Sequence, residues 1–143
     1  MKLFRISINA SVFFLILSGI IHSVSFIVQP QPENDTERQM LDLVNTFKMD
    51  MGAGFIRTFH QIFLFFSACF TLILFFGGIL LYYLNKNNIS KQLMAGTLNI
   101  YLVFYGILYI LLWTLAFLPP ILCMTFVFVS LVFSRWSINS LEK

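Results

Sequence analysis

Four long apolar stretches, almost free of charged residues, constrain this chain more than any other feature. They cover residues 6–28, 57–84, 92–118 and 120–137. A helix needs about 20 apolar residues to cross the roughly 30 Å of a bilayer's hydrocarbon core, so three stretches are ample and the fourth is short. Arg135 can extend toward the head groups and Trp136 can lie at the interface, which offsets that shortness. Because backbone polar groups cannot stay unpaired in lipid, each stretch is predicted to be a helix.

Composition excludes an ordinary water-soluble domain. Only 10% of the 143 residues are charged and 59% are hydrophobic, whereas soluble domains carry about 25% charged residues. The nine Lys and Arg residues are scattered singly along the sequence, which predicts no contact with nucleic acid. The predicted partners are membrane lipid and other membrane proteins or a second copy of the chain. The whole chain, 1–143, is predicted to be one membrane domain.

The distribution of basic residues predicts the orientation. With four spans, six basic residues fall on the side of the two termini: Lys2, Arg5, Lys86, Lys91, Arg135 and Lys143. The other side has Arg38, Lys48 and Arg57, diluted by five acidic residues. The positive-inside rule then places both termini in the cytoplasm. Cleavage of the first span as a signal peptide near Ser23–Ser25 is the alternative.

The one sizeable loop carries an amphipathic pattern. Residues 36–51 place apolar side chains on one face, after Asn34 and Thr36 as candidate caps, which predicts an outer helix. Gly52–Gly54 is predicted to be a hinge into the second span. Two interpretations remain open: a lid over a ligand at the outer end of the spans, or a helix lying at the membrane interface because its apolar face needs cover.

Small and polar residues at steps of three or four predict the packed face of each span, since lipid offers helices no hydrophobic reason to associate. The predicted packing residues are Ser11, Ser18, Ser67, Thr71, Gly96, Asn99, Gly106 and Ser130. This spacing is typical of nearly parallel helix axes. The predicted fold is therefore an all-α integral membrane protein, an antiparallel four-helix bundle with one outer interfacial amphipathic helix.

Aromatic and thiol side chains in the spans have mainly structural interpretations. Aromatic residues recur at steps of four in the third span, at Tyr101, Tyr105, Tyr109 and Trp113. We expect them to pack against bulky neighbours; the alternative is that they stack on a flat ligand. Cys69 and Cys123 belong to no Cys-x-x-Cys motif. They are predicted to act as small hydrophobic residues rather than a redox pair.

Two histidines are the candidate ligand-binding residues. His22 and His60 stand near the outer ends of the first two spans, and a titratable group at that depth suggests function. If the two imidazoles face each other, they can bind a metal or haem, or relay a proton. The alternative is that each histidine forms a hydrogen bond to a neighbouring helix and binds no ligand. A second candidate functional site lies in the loop and consists of Asp50, Gly52 and Arg57. The alternatives for Asp50 and Arg57 are an ion pair, a pair that contacts a substrate, and a pair of solvated side chains. No catalytic residue and no cofactor is predicted, with haem or metal as the alternative.

Several short motifs resemble an uncharacterised family of small four-helix bacterial membrane proteins. They are Gly19-Ile20-Ile21-His22-Ser23, Gln39-Met40, Phe47-Lys48-Met49-Asp50-Met51-Gly52, Arg57-Thr58 and Phe66-Ser67. The resemblance covers the first half of the chain and implies four spans in an inner membrane, without implying an activity. It also implies that His22, Gly52 and Arg57 are shared positions. The family often has a second His shortly after the first, and Phe26 stands in that region here.

Three functions remain open from the sequence. The leading prediction is a non-enzymatic structural or interaction subunit. The first alternative is a small redox protein that binds haem, a metal or a quinone through His22 and His60. The second is a protein that binds lipid or a small molecule beneath the loop helix.

Overall fold

The structure, a computed structural model, describes residues 2–28 and 31–139. Its elements in chain order are α1 (Lys2–Val24), α2 (Asp35–Thr46), β1 (Lys48–Asp50), β2 (Ile56–Thr58), α3 (Phe59–Lys86), α4 (Lys91–Leu115) and α5 (Leu118–Asn139). Helices α1, α3, α4 and α5 are each long and apolar enough to cross a membrane. Each corresponds to one predicted span, with bounds that shift by a few residues. The largest shift is at α1, which ends at Val24 instead of residue 28.

Side-chain caps explain where three helices begin. The Asn34 side chain accepts a hydrogen bond from the Glu37 amide at 2.9 Å, at the start of α2. At α3, Thr58 and Gln61 form a capping box in which each side chain accepts from the other's backbone amide. Ser90 caps α4 by accepting from the Leu93 amide. Each cap satisfies amides that a helix leaves without partners in its first turn.

The second half of the loop is a β-hairpin, so the prediction of one helix over 36–51 is wrong after Thr46. Strands β1 and β2 pair antiparallel, with Met49 opposite Arg57. The predicted glycine hinge is the hairpin's connecting turn: Gly52, Ala53 and Gly54 all have positive φ, of 91°, 52° and 80°. Two glycines within three residues allow that left-handed path, and it reverses the chain instead of continuing a helix.

Helix α1 packs between α3 and α5, and α5 also packs against α4. Serines line the contact between α1 and α5. The Ser7 and Ser137 hydroxyls lie 3.1 Å apart, and the Ser11 and Ser134 hydroxyls lie 3.0 Å apart. Their small side chains let the two backbones approach closely, as expected for helices that associate in lipid. As residue numbers rise along α1, the numbers of their partners in α5 fall.

Tyrosines fill the space between α3 and α4. The hydroxyl of Tyr101 donates to the Gly77 carbonyl at 2.8 Å, and the hydroxyl of Tyr105 donates to the Ile73 carbonyl at 3.2 Å. Both tyrosines are buried. Farther along α4, Tyr109 stacks on Phe128 of α5 with ring centroids 5.5 Å apart. These contacts agree with the packing interpretation of the aromatic series.

The predicted packed faces are partly right. Ser11, Ser18, Thr71 and Ser130 are buried, and Ser67 is half-buried. The prediction fails on α4, whose buried residues are Met94, Leu98, Tyr101 and Tyr105. Gly96 has no neighbouring atom within 4 Å of the position a Cβ would take, Asn99 is exposed, and Gly106 is half-buried against Phe128. Each tyrosine hydroxyl needs a hydrogen-bond partner and finds it in an α3 carbonyl, so the tyrosines rather than the small residues of α4 face the interior.

The described contacts bring helix ends together in two groups. We call the terminal end the group formed by the start of α1, the α3–α4 turn and the end of α5; the Asn85 amide there donates to Asn9 at 3.1 Å. We call the loop end the opposite group: the end of α1, α2, the hairpin, the start of α3 and the α4–α5 turn. Of the six basic residues predicted on the side of the termini, Lys143 lies outside the described residues. The backbone of the other five lies at or near the terminal end.

Candidate functional site

His22 lies in the last turn of α1 with its ring packed against phenylalanines. Its ring meets Phe70 of α3 edge-on, with centroids 4.8 Å apart, and Phe26 at 6.2 Å. Its Nε2 atom is buried and has no hydrogen-bond partner among the residues that the structure describes. Because buried polar atoms in folded proteins are nearly always hydrogen-bonded, this nitrogen marks a place where a partner is missing.

The structure does not bring His60 to His22. His60 is the second residue of α3 and is exposed, whereas His22 lies level with Phe70, ten residues farther along α3. Ten residues of helix span about 15 Å, too far for two imidazoles to share a ligand. The predicted pairing is therefore wrong, because α3 extends well beyond the end of α1. No cluster of three or more His, Cys, Asp or Glu residues suited to a metal occurs within residues 2–28 and 31–139.

A cavity of about 610 Å³ opens at the loop end, between all four long helices. Ser18 and His22 of α1, Ser67 and Phe70 of α3, Leu112 of α4 and Cys123 of α5 line it. The rest of the lining is mainly apolar and includes the α4–α5 turn. Its size falls within the range of about 300–1,000 Å³ that is typical of small-molecule sites, which combine apolar walls with a few polar groups.

The cysteines are both free and half-buried. Cys123 lines the cavity, whereas Cys69 does not. The chain therefore offers one thiol within the cavity and one outside it. Sequence spacing alone gave no reason to connect Cys123 with His22, because the two lie 101 positions apart and in different spans.

Of the alternatives for Asp50 and Arg57, the structure shows no ion pair between them. In the hairpin register Met49 lies opposite Arg57, and Asp50 lies opposite Ile56. Since side chains alternate between the two faces of a strand, Asp50 and Arg57 point to opposite faces. Asp50 instead accepts a hydrogen bond from the Gly52 amide at 2.8 Å, and the Arg57 guanidinium donates to the Ile56 carbonyl at 2.8 Å. These residues stabilise the turn locally.

The loop helix does not line the cavity. Helix α2 lies against α3 and β2, and none of its residues is buried. The cavity lining comes from α1, α3, α4, α5 and the α4–α5 turn. In this structure α2 therefore acts neither as a lid in contact with the cavity nor as one of its walls.

Comparisons with protein families, with curated proteins and with solved structures found no match for this chain. Its function therefore has to be inferred from its own contacts. Among these, the loop-end cavity and the unpaired nitrogen of His22 point most directly to a ligand.

Proposed function

We propose that this chain is a multi-pass protein of a bacterial inner membrane whose four long helices form an antiparallel bundle. Their length and apolar character support the membrane location. The opposed numbering of the serine contacts between α1 and α5 supports the antiparallel arrangement. The surplus of basic residues at the terminal end supports a cytoplasmic location for both termini. We extend this proposal to kinship with the small four-helix family, on the motif that ends in His22.

The proposed role is non-enzymatic binding of a single-chain amphiphile in the loop-end cavity. Two observations carry this proposal: the buried Nε2 of His22 has no described partner, and His22 lines a cavity with mainly apolar walls, which its Nε2 can reach through a rotation of the ring. A ligand with an apolar chain covers those walls, and a hydroxyl or carbonyl head supplies the missing hydrogen bond. A net hydrogen bond of this kind contributes about 0.5–1.5 kcal/mol.

Cys123 provides a direct measurement of occupancy. In a Cys69→Ala background, we expect N-ethylmaleimide to label Cys123, and saturating 1-decanol to slow the labelling by filling the cavity. His22→Phe keeps an aromatic ring against Phe70 and removes the nitrogen. It should weaken protection by 1-decanol about two- to tenfold, the factor that a lost hydrogen bond gives.

A matched pair of variants tests whether the cavity itself is responsible. Ala116 lines the cavity, and Thr114, two residues earlier, is exposed and does not. Ala116→Trp should block both labelling of Cys123 and binding of 1-decanol, whereas Thr114→Trp should leave both unchanged. If Cys123 of the Ala116→Trp protein is still labelled, and 1-decanol slows that labelling as much as in the original protein, then 1-decanol acts on the detergent micelle and the proposal is refuted.

A second candidate, an interaction subunit, is favoured by polar groups on the outer surface of α4. Asn99 is exposed eight residues into α4, about 12 Å along its axis. Its side chain accepts a hydrogen bond of 2.6 Å from the Arg135 Nε. An exposed asparagine at that depth, bonded to the half-buried Arg135, suits contact with another membrane helix better than contact with lipid. This candidate predicts that 1-decanol gives Cys123 no protection.

A further inference from the structure

A second pocket, of about 180 Å³, lies at the terminal end. Arg5 of α1, Asn85 of α3, Asn88 of the α3–α4 turn and Lys91 of α4 supply its polar lining, and Met94 and Ile138 lie among its apolar residues. The fold thus gathers basic and amide side chains that are far apart in the sequence. The amides are partly engaged: Asn85 donates to Asn9 at 3.1 Å, and Asn88 makes a long contact of 3.5 Å with the Lys86 carbonyl.

The electrostatic balance of this pocket is positive. Five of the six acidic residues of the chain lie between positions 33 and 50, in the segment that forms the loop end. The sixth, Glu142, lies outside the described residues. Within the described part of the chain, no ion pair involves Arg5 or Lys91. The first turn of α4, a helix of 25 residues, adds the positive end of its dipole.

Apolar side chains near the pocket face outward. Leu3 is 56% exposed, Ile6 is 66% exposed and Leu93 is 56% exposed. In a membrane these surfaces contact acyl chains, and a head group lies next to them at the height of the pocket. Basic pockets between the ends of membrane helices are suited to the head groups of anionic lipids.

We infer that the terminal-end pocket binds a phosphate group, supplied by the head group of an anionic phospholipid. Arg5 and Lys91 hold the phosphate oxygens from two sides through charge-assisted hydrogen bonds. The acyl chains lie along outward-facing apolar side chains of the same end, among them Leu93, two residues after Lys91. This inference rests on the proposed membrane location and is independent of the cavity at the loop end and its ligand.

The test counts lipids bound to the intact chain in dodecyl maltoside by native mass spectrometry. Dioleoyl phosphatidylglycerol should bind more tightly than dioleoyl phosphatidylcholine. Arg5→Gln and Lys91→Gln should each lower the affinity for phosphatidylglycerol about fivefold, and the double variant should lower it about 25-fold. Each basic residue near an anionic surface contributes a factor of about that size. Lys86→Gln is the matched control, since Lys86 stands at the same end beside Tyr82 and does not line the pocket.

Further controls distinguish binding in the pocket from attraction by net charge, and binding of the lipid from binding of soluble phosphate. The swapped protein Arg5→Lys/Lys91→Arg keeps both charges and should bind like the original, while circular dichroism confirms that each variant is helical. Equal weakening by Lys86→Gln would overturn the inference, because net charge alone would then explain it. Inorganic phosphate that competes at the affinity of the lipid would overturn the lipid as the source. A large gain of affinity in Glu142→Gln would show that the chain's own carboxylate fills the pocket.

Discussion

At the scale of single residues, the tyrosines of α4 show how polar atoms are accommodated among apolar helices. Tyr101 and Tyr105 donate to carbonyls of α3 that already accept bonds within their own helix. Gly77 makes this possible, because a Cβ at that position would collide with the hydroxyl of Tyr105. The packing of α3 against α4 therefore depends on a residue without a side chain.

We predict that Gly77→Ala destabilises the protein by about 1–3 kcal/mol, the usual cost of forcing extra volume into a packed interior. Gly96→Ala is the control, since no atom lies within 4 Å of its added Cβ. It should be neutral or stabilising by about 0.5–1 kcal/mol, because alanine favours a helix over glycine. The measurement is the free energy of unfolding in detergent, followed by circular dichroism. Equal effects of the two changes would contradict the assignment of the α4 faces.

The same residues show what the sequence predicts at this scale. Small residues correctly mark the contact of α1 with α5, where Ser11 and Ser134 meet. The rule that small residues mark packed faces fails at Gly96 and Asn99, because it takes no account of tyrosine hydroxyls that need a hydrogen-bond acceptor. Tyr101 and Tyr105 carried that information, and their spacing of four residues was visible in the sequence. The identity of the accepting carbonyls was not, since it depends on the rotation of α3.

At the scale of elements, the contact of α1 with α5 combines two pairs of serine hydroxyls with a stack of Phe14 on Phe126. Ser134 is fully buried, whereas Val132, two residues earlier, is 44% exposed. Helix association in lipid depends on close backbone approach, and hydrogen bonds between such helices contribute only modestly. The closeness of the two backbones therefore matters more than the hydroxyls themselves.

This difference predicts a ranking of three substitutions. Ser134→Leu should cost about 1–3 kcal/mol through overpacking. Ser134→Ala should cost about 0.6 kcal/mol, the average for a hydrogen bond between membrane helices. Val132→Leu should have almost no effect, because its side chain faces outward. Thermal unfolding in one detergent gives the order, and a larger loss for Ser134→Ala than for Ser134→Leu would show that the hydroxyl bonds dominate.

The hairpin is the element that the sequence analysis missed. Strands of three residues are too short to show an alternating pattern, and Met51 continues the helical spacing of the preceding apolar residues. The information lay in Gly52-Ala53-Gly54, interpreted as a hinge although glycines so close together are also typical of a reversal. The start of the helix was predicted within one residue, at 36 against Asp35 in the structure, because Asn34 was visible as a candidate cap.

At the scale of the whole molecule, charge is divided between the two ends. The segment at the loop end holds five acidic residues, and the terminal end holds basic residues on all four long helices. The two histidines were predicted to meet because both lie near the loop end. Position in the chain placed both histidines at the correct end of the helices. It did not give their levels along the helix axes, since the helices differ in length and begin at different levels. The cavity depends on the same differences in level between the helix ends, so it was not predictable from the sequence.

The orientation has a direct test. Alkaline phosphatase fused after Glu37 should be active, and the same enzyme fused after Asn87 should be inactive, because the positive-inside rule keeps the terminal end in the cytoplasm. Asn87 lies in the α3–α4 turn and Glu37 lies in the first turn of α2, so the reporter interrupts none of the four long helices. N-terminal sequencing of the mature protein is the companion measurement. A mature chain that begins near Phe26 would exclude the four-span topology.

The unequal heights of the helices have a consequence for the bilayer in which we propose that the chain lies. Helix α3 has 28 residues and α5 has 22, lengths of about 42 Å and 33 Å. Phe63, Phe65 and Phe66, in the part of α3 beyond the end of α1, are each more than half exposed. Lipids beside α3 must stretch to cover them, or the molecule must tilt, at a cost of fractions of a kcal/mol per Å. The protein is therefore expected to favour thicker regions of its membrane and to lie in them with α3 leaning away from the bilayer normal.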